Sequence, residues 1–310
     1  MNILFLGAGR RRSLLERFVL AARKESVSLS MVAYEDGKHI PIAGLAEIIL
    51  GCKWADADFQ QDILDIVFNY KIDVIIPCMD GATVALAKMS KKIKTAWPVV
   101  SPMFECVVFE NKSLASHWFE QYGVNAPPLG VSNGLPVIFK KIKGFASRDM
   151  HVAETMGEYE RIVSTIKMDD YLVQKLVKGR EFSIDAYVSR DGRVLGCVTR
   201  ERLLVIGGEV SNSVTRRRPD LEKEARRILG IGHFIGPVTL QAIEVDPGVF
   251  SFIEINPRFG GGVILSIESG ADYPRLIIRE ALGRPVAHVE WKDDLLMTRS
   301  FSETFHEGYK

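Results

Sequence analysis

Apolar positions fill residues 3–6, and the small turn Gly7-Ala8-Gly9 follows, so a short buried strand runs into a helix. Leu14, Leu15, Phe18 and Val19 supply that helix's apolar stripe, with Ser13 and Glu16 spaced as a capping box. A second strand reads Leu29 to Tyr34. At about 60–70, Ile63, Ile66, Val67 and Tyr70 fall at i, i+3, i+4 and i+7, the spacing of one helix face. Ile72–Ile76 reads as a third strand closed by Pro77, and Asp80 opens another helix. Strands alternating with helices predict a small parallel α/β unit over residues 1–105.

The pattern then changes. Asn111 caps a helix carrying Leu114, Trp118 and Tyr122, and Gly123 stops it. Leu135–Lys140 is an apolar strand ending in lysines, followed by the small-residue turn Gly144-Phe145-Ala146-Ser147. Tyr171–Leu176 is another strand. Over Glu181–Val188, Phe182, Ile184, Ala186 and Val188 alternate with Glu181, Ser183, Asp185 and Tyr187. After Val194–Thr199, the polar stretch to Arg202 and Gly207-Gly208, a helix begins near Asp220. Val238–Val245 and Val249–Ile255 form a hairpin across Asp246-Pro247-Gly248. Strands in runs predict antiparallel α+β architecture after residue 135.

Composition narrows the function classes. With 40 basic and 39 acidic residues the net charge is +1, so no overall field draws nucleic acid or a membrane surface. No apolar run reaches the roughly 18 residues of a membrane span, and the N-terminus lacks a signal peptide's basic start, so a cytoplasmic protein is expected. Cys52, Cys78, Cys106 and Cys197 form no C-x-x-C pair and read as reduced, buried thiols. The six histidines share no metal spacing. The triplets Arg10–Arg12 and Arg216–Arg218 read as solvated faces, with phosphate binding as the alternative.

Two places carry candidate chemistry. The turn Gly7-Ala8-Gly9, with Glu35 ending the second strand, suggests dinucleotide binding. Arg12, however, stands where the third glycine of G-x-G-x-x-G belongs, so an ordinary strand-to-helix turn is the better reading. The second place is Ser251–Gly262. There Glu254 and Asn256 leave one strand face together, and Gln241 meets Glu254 by counting across the hairpin. These are hard oxygen ligands of the kind Mg²⁺ takes. Lys140 before a small-residue loop and Lys112 at a helix start suit phosphate as point charges. Taken singly, Lys112 also reads as a surface residue and Glu181 as a solvent-side strand residue.

In this order, Asn111-Lys112, Val137-Ile138-Phe139-Lys140, Val173-Gln174-Lys175-Leu176-Val177, Gly179-Arg180-Glu181, Gln241 and Glu254-Ile255-Asn256-Pro257-Arg258, the chain resembles the ATP-grasp superfamily. It is most similar to the carbamoyl phosphate synthetase large subunit and its short stand-alone relatives. The resemblance implies a pre-ATP-grasp α/β domain over 1–105 and a two-subdomain ATP-grasp fold. Its small subdomain would cover 106–172 and its metal- and ATP-binding subdomain 173–285, with a C-terminal extension over 286–310. Lys112 and Lys140 would contact ATP phosphates, and the backbone of Gln174, Lys175 and Val177 would meet adenine. Glu181 would hold the ribose. Gln241, Glu254 and Asn256 would hold one or two Mg²⁺, or Mn²⁺ in their place. Arg258 would steady the transferring phosphoryl group, and Arg200 and Arg202 would face the reaction centre.

This chain departs from relatives in its glycine-poor 144–149 loop, where Ser147 or Arg148 would compensate. Gln241 stands where many relatives carry an acid, and carbamoyl phosphate synthetase itself resembles this chain in using an amide there. The activity implied is ATP- and Mg²⁺-dependent ligation of a carboxylate to an amine through an acyl phosphate. An ATP-grasp kinase and a nucleotide-binding regulatory module are the rivals. Small-molecule carboxylate and amine substrates, and a homodimer, are the partners it admits. Loops near 77–82 and 200–218 would choose the substrate, and their arginines favour an anion.

Overall fold

The structure, a computed structural model, describes residues 1–144, 149–300 and 302–306. Its first sheet has five parallel strands, β1 (Asn2–Leu6), β2 (Ser30–Glu35), β3 (Glu47–Leu50), β4 (Val74–Pro77) and β5 (Trp97–Pro98), ordered β3-β2-β1-β4-β5. Helices α1 (Arg12–Lys24), α2 (Phe59–Asn69) and α3 (Asp80–Met89) alternate with them. The chain reverses its direction of growth between β1 and β4, and the crevice at such a point is where open parallel sheets take ligands. Gly7–Arg11 follows β1 there and Cys78–Asp80 follows β4.

The capping box at Ser13 does not form. The helix starts at Arg12, which puts Ser13 inside the first turn, and Glu16 instead accepts a hydrogen bond from Arg12 Nε at 3.0 Å. Further on, α4 (Met103–Glu110) leads to α5 (Lys112–Gln121), whose first amides Ser113 and Leu114 donate to the Asn111 side chain as expected. Gly123 ends that region in a left-handed conformation (φ +60°).

A three-stranded antiparallel sheet follows, ordered β7-β6-β8, from β6 (Val137–Lys141), β7 (His151–Ala153) and β8 (Tyr171–Lys175), backed by α6 (Met156–Thr165). The rest is a six-stranded antiparallel sheet, ordered β13-β12-β9-β10-β11-β14. Its strands are β9 (Arg180–Val188), β10 (Val194–Ile206), β11 (Glu209–Thr215), β12 (Gly236–Asp246), β13 (Val249–Asn256) and β14 (Leu296–Thr298). Helices α7 (Pro219–Ile231), α8 (Val263–Glu268) and α9 (Tyr273–Ala281) cover it. β10 runs past the expected Thr199 to Ile206, and Gly207 and Gly208, both at positive φ, close a two-residue hairpin into β11.

Both faces of β9 are buried, although its sequence alternates. Phe182, Ile184 and Ala186 join a core with Leu221 and Ile228 of α7. The other face meets α8 and α9, where Ser266 Oγ donates to the Asp185 carboxylate and Tyr273 Oη to its backbone carbonyl. The largest core crosses from the first sheet to these helices. It holds Ile3, Phe5, Leu15 and Phe18 together with Phe259, Val263, Tyr273 and Ile277. The rings of Phe18 and Phe259 meet edge to face at 6.1 Å. The first parallel unit therefore shares its hydrophobic core with the second half of the chain. All four cysteines are free, and among the described residues no helix is long and apolar enough to cross a membrane.

Candidate ATP site

The hairpin β12–β13 places Gln241 directly opposite Glu254, as counting across the turn suggested. Directly opposed side chains have Cβ atoms about 5 Å apart. Ile253 is an extra residue in the ladder, since Gln241 pairs with Glu254 but Ala242 pairs with Phe252. This bulge resets the alternation. Phe252 and Ile255, three apart, both enter the core, and Glu254 and Asn256 are turned to the opposite face. The three-residue spacing of Phe252 and Ile255 was the sequence signal for it.

Asn256 is buried, and its Oδ1 accepts a hydrogen bond from Arg258 Nη2 at 3.0 Å. Arg258 in turn grips Asp80 with both arms of its fork, Nε to Oδ1 at 2.5 Å and Nη2 to Oδ2 at 2.9 Å. Its Nη1 donates to the Phe259 carbonyl. Burial opposes the charge on Arg258, but Asp80 and Glu254 outweigh it and hold the pKa above the usual arginine value. Asp80 was read from sequence only as the start of a helix. Its partner lies 178 residues away, and no local pattern encodes that pairing.

The opposing side of the site comes from the small sheet and α5. Lys112, Ser116, Gln174 and Glu254 line one cleft between α5, β8 and β13. Lys112 Nζ donates to the Gly144 carbonyl at 2.9 Å, at the entrance to the loop after β6. Lys140 lies on β6, where burial lowers its pKa; Glu254 and Glu181 pull it back up and Lys112 adds to the lowering. Lys112 and Glu254 thus line the same cleft, and the Glu254 charge acts on Lys140. Glu181, half exposed, forms an ion pair with Arg202 Nε at 3.2 Å. Burial also lowers the Arg202 pKa, with Glu181 opposing it.

The residues expected to meet adenine lie on β8 and just after it. Gln174 is buried and donates through Nε2 to Ser116 Oγ at 3.2 Å, tying β8 to α5. The backbone N–H of Lys175 already donates to Pro128 O at 2.8 Å, which leaves it unavailable to adenine. Its Nζ donates to Leu135 O at 2.7 Å. Val177 follows the end of β8. Ser147 and Arg148 lie outside the described residues.

Arg200 departs from its expected role. It occupies the same cross-strand row as Gln241, through Ser183 on β9, but it is 1% exposed and pairs with Asp185 (Nε to Oδ2, 2.7 Å). A Cβ at Gly262 would sit 2.5 Å from its Nη1, so Arg200 supports the glycine turn from beneath instead of facing the cleft. The arginine triplets are also engaged. Arg11 donates to Gly260 O at 2.9 Å, Arg217 stacks on Trp291, and Arg218 binds Glu244.

The dinucleotide reading fails for a structural reason. Glu35 turns inward and accepts the Ala8 N–H at 2.5 Å, filling the turn that a pyrophosphate would need. Burial raises its pKa to about 7, against the backbone hydrogen bonds from Ala8 and Gly9.

The donor set suits a metal that arrives with phosphates. Glu254 is the one carboxylate beside two amides, and no cluster of three or more His, Cys, Asp or Glu able to hold a metal occurs among the described residues. A dication held by these oxygens needs further anionic ligands, and Mg²⁺ commonly takes them from nucleotide phosphates.

Comparison with known proteins agrees with this geometry. Residues 167–301 match the family model described as ATP-grasp in the biosynthetic pathway with Ter operon. No curated protein sequence matches the chain. Among solved structures, the N5-carboxyaminoimidazole synthetase of Staphylococcus aureus, complexed with ADP, matches with TM-score 0.78 at 14% identity, over 96% of this chain and 81% of that one. The biotin carboxylase domain of the Hydrogenobacter thermophilus 2-oxoglutarate carboxylase, in complex with MgADP, ADP and bicarbonate, matches with TM-score 0.74 at 14% identity, over 95% and 73%. The L-amino acid ligase of Bacillus licheniformis matches with TM-score 0.72 at 15% identity, over 92% and 75%. At these identities the likeness speaks to fold. The chain has the ATP-grasp fold along most of its length, and its segment 167–301 matches the ATP-grasp family model.

Proposed function

We propose that this protein is an ATP- and Mg²⁺-dependent ligase that activates a carboxylate as an acyl phosphate for capture by an amine or similar nucleophile. The observation that carries the reading is the pairing of Glu254 with Gln241, on the strand that also bears Asn256, in a cleft that Lys112 lines as well. Supporting it, the fold's solved relatives include an L-amino acid ligase and a synthetase complexed with ADP.

Lys112 and Lys140 hold the phosphates by point charge, and the low dielectric around Lys140 strengthens that contact. Glu254, Gln241 and Asn256 are the oxygens that would hold Mg²⁺. When bound, that ion would supply positive charge to offset the charge on the phosphates. The reaction needs little covalent help from the protein, so positioning carries most of the catalysis. A carboxylate oxygen of the substrate attacks the γ-phosphorus, the bond to the β–γ bridging oxygen breaks, and ADP leaves. The nucleophile's nitrogen then attacks the acyl carbon, phosphate departs, and the nitrogen loses its proton. Arg202 pairs with Glu181 and contributes positive charge on that side of the cleft, and in this reading Glu181 holds the ribose hydroxyls. Arg200 acts by holding the turn 260–262 in place. The division into a substrate-bearing unit over 1–105 and ATP-binding subdomains over 106–172 and 173–285 runs parallel to the three sheets, except that β8 straddles 172/173 and β14 joins the large sheet from beyond 285.

Hydroxylamine tests the reaction while the natural amine is unidentified. In a screen of amino acids and other carboxylic acids, those that stimulate ADP release should also yield hydroxamates. ADP release without hydroxamate would replace the ligase with a kinase. Neither product would leave a nucleotide-binding module.

A further inference from the structure

The contact between Asp80 and Arg258 joins the first sheet to the metal-ligand strand at one point. Asp80 is the first residue of α3, one past the N-cap Met79, and both its carboxylate oxygens accept from Arg258. Neighbouring packing fixes the helix start. A Cβ at Gly81 would lie 2.9 Å from Trp54, and one at Gly7 would lie 2.8 Å from Met79. Asp80 therefore sits in a rigid corner of the crevice between β1 and β4 and is still 31% exposed.

Arg258 is planar, so gripping Asp80 with Nε and Nη2 sets the direction of its remaining Nη2 proton, which goes to Asn256 Oδ1. An amide oxygen has two lone pairs. With one fixed by Arg258, the other has a set direction, and the partners of a metal ligand commonly orient it in this way. Asp80 also offsets the guanidinium charge, which would otherwise stand uncompensated beside a cation site.

We propose that Asp80 is a positioning residue for the metal site. Acting through Arg258, it orients the Asn256 oxygen and screens the arginine's charge, so that Mg²⁺ affinity in the nucleotide complex depends on a residue of the first sheet's ligand crevice. This inference rests on the ATP·Mg²⁺ reading of the cleft.

The test is Mg²⁺ titration of the thermal stabilisation given by a fixed ADP concentration, in the wild type, Asp80→Asn and Asp80→Ala. Melting without nucleotide reports the fold of each variant. Asp80→Asn keeps the size and one acceptor, so it remains informative should Asp80→Ala fail to fold. The Mg²⁺ midpoint should rise about tenfold in Asp80→Asn and further in Asp80→Ala, in line with the usual cost of losing a ligand's supporting partner. In an Asn256→Ala background, Asp80→Asn should add little, because the oxygen it positions is gone. An unchanged midpoint in a folded Asp80→Asn, with a normal wild-type titration, overturns the relay alone. A wild type that shows no Mg²⁺-dependent stabilisation overturns the ATP·Mg²⁺ reading and the relay with it.

Discussion

The two sides of the proposed ATP cleft are built very differently. The proposed metal-ligand side, β12 and β13, continues through Phe259 into a core shared with β1 and α1. It is further tied by Glu25, whose carboxylate is bound by Arg275, Arg279 and Arg284 from α9 and beyond. The proposed phosphate side, β6 to β8, closes over a smaller cluster whose buried members, among the described residues, are Val137, Phe139, Ala153 and Ile162. Regions with few buried apolar contacts open at lower free energy. The arrangement therefore sets the proposed metal oxygens, on a well-packed side, against a lightly held lysine-bearing flap, which suits a site that must admit and then enclose a nucleotide. Amide hydrogen exchange should be faster in β6–β8 than in β9 and β12. MgADP should slow β6–β8 most, and equal protection of both sheets in the free protein would remove the contrast.

The largest effect is expected on the rigid side. Glu254→Gln removes its one carboxylate and should lower ATP turnover by about 10²–10³-fold, comparable to removing one strong transition-state contact. Melting in the absence of nucleotide should be nearly unchanged, because Glu254 is outside the core. Steady-state ADP release and a melting curve check both parts.

Next in size is the Glu25 knot. Burial alone would raise the Glu25 carboxyl, but hydrogen bonds from Arg275, Arg284 and Arg279 bring it down to about 2. Its folded pKa lies below the unfolded value near 4.5, so the stabilisation is full above that value and is lost as the pH falls from 4.5 towards 2. Arg275 and Arg284 are partly exposed, so solvent reduces the effect, and Glu25→Gln should cost about 2 kcal/mol at neutral pH. Urea unfolding across that pH range should show a shallower acid slope in the variant. On the flap, Lys140→Ala should raise the ATP KM about tenfold, about 1.4 kcal/mol, by removing one phosphate counter-charge, and initial rates over a range of ATP check it.

Local patterns conveyed the hairpin and the face it offers. Asp246-Pro247-Gly248 marked the turn, and counting from it put Gln241 against Glu254. The parallel order of the first sheet followed from alternating strand and helix signals. What stayed hidden depends on contacts distant in sequence. The polar side of β9 looked solvent-facing until α8 and α9 packed on it, and the same helices bury Arg200 against Asp185. The pairing of Asp80 with Arg258 joins two segments whose local sequence is complete without each other. The shared core likewise crosses a boundary that the strand pattern places at residue 105.

The central claim is that nucleotide sits between Glu254 on the rigid side and Lys140 on the flap, with Mg²⁺ held on the Glu254 side. Calorimetric titration of ADP with and without Mg²⁺, into the wild type, Glu254→Gln and Lys140→Ala, tests it most directly. Wild-type affinity should rise with Mg²⁺. Glu254→Gln should lose most of that rise while keeping its metal-free affinity, and Lys140→Ala should bind more weakly under both conditions. A Glu254→Gln protein that retains the full Mg²⁺ enhancement, or a Lys140→Ala protein with unchanged affinity, would contradict the account.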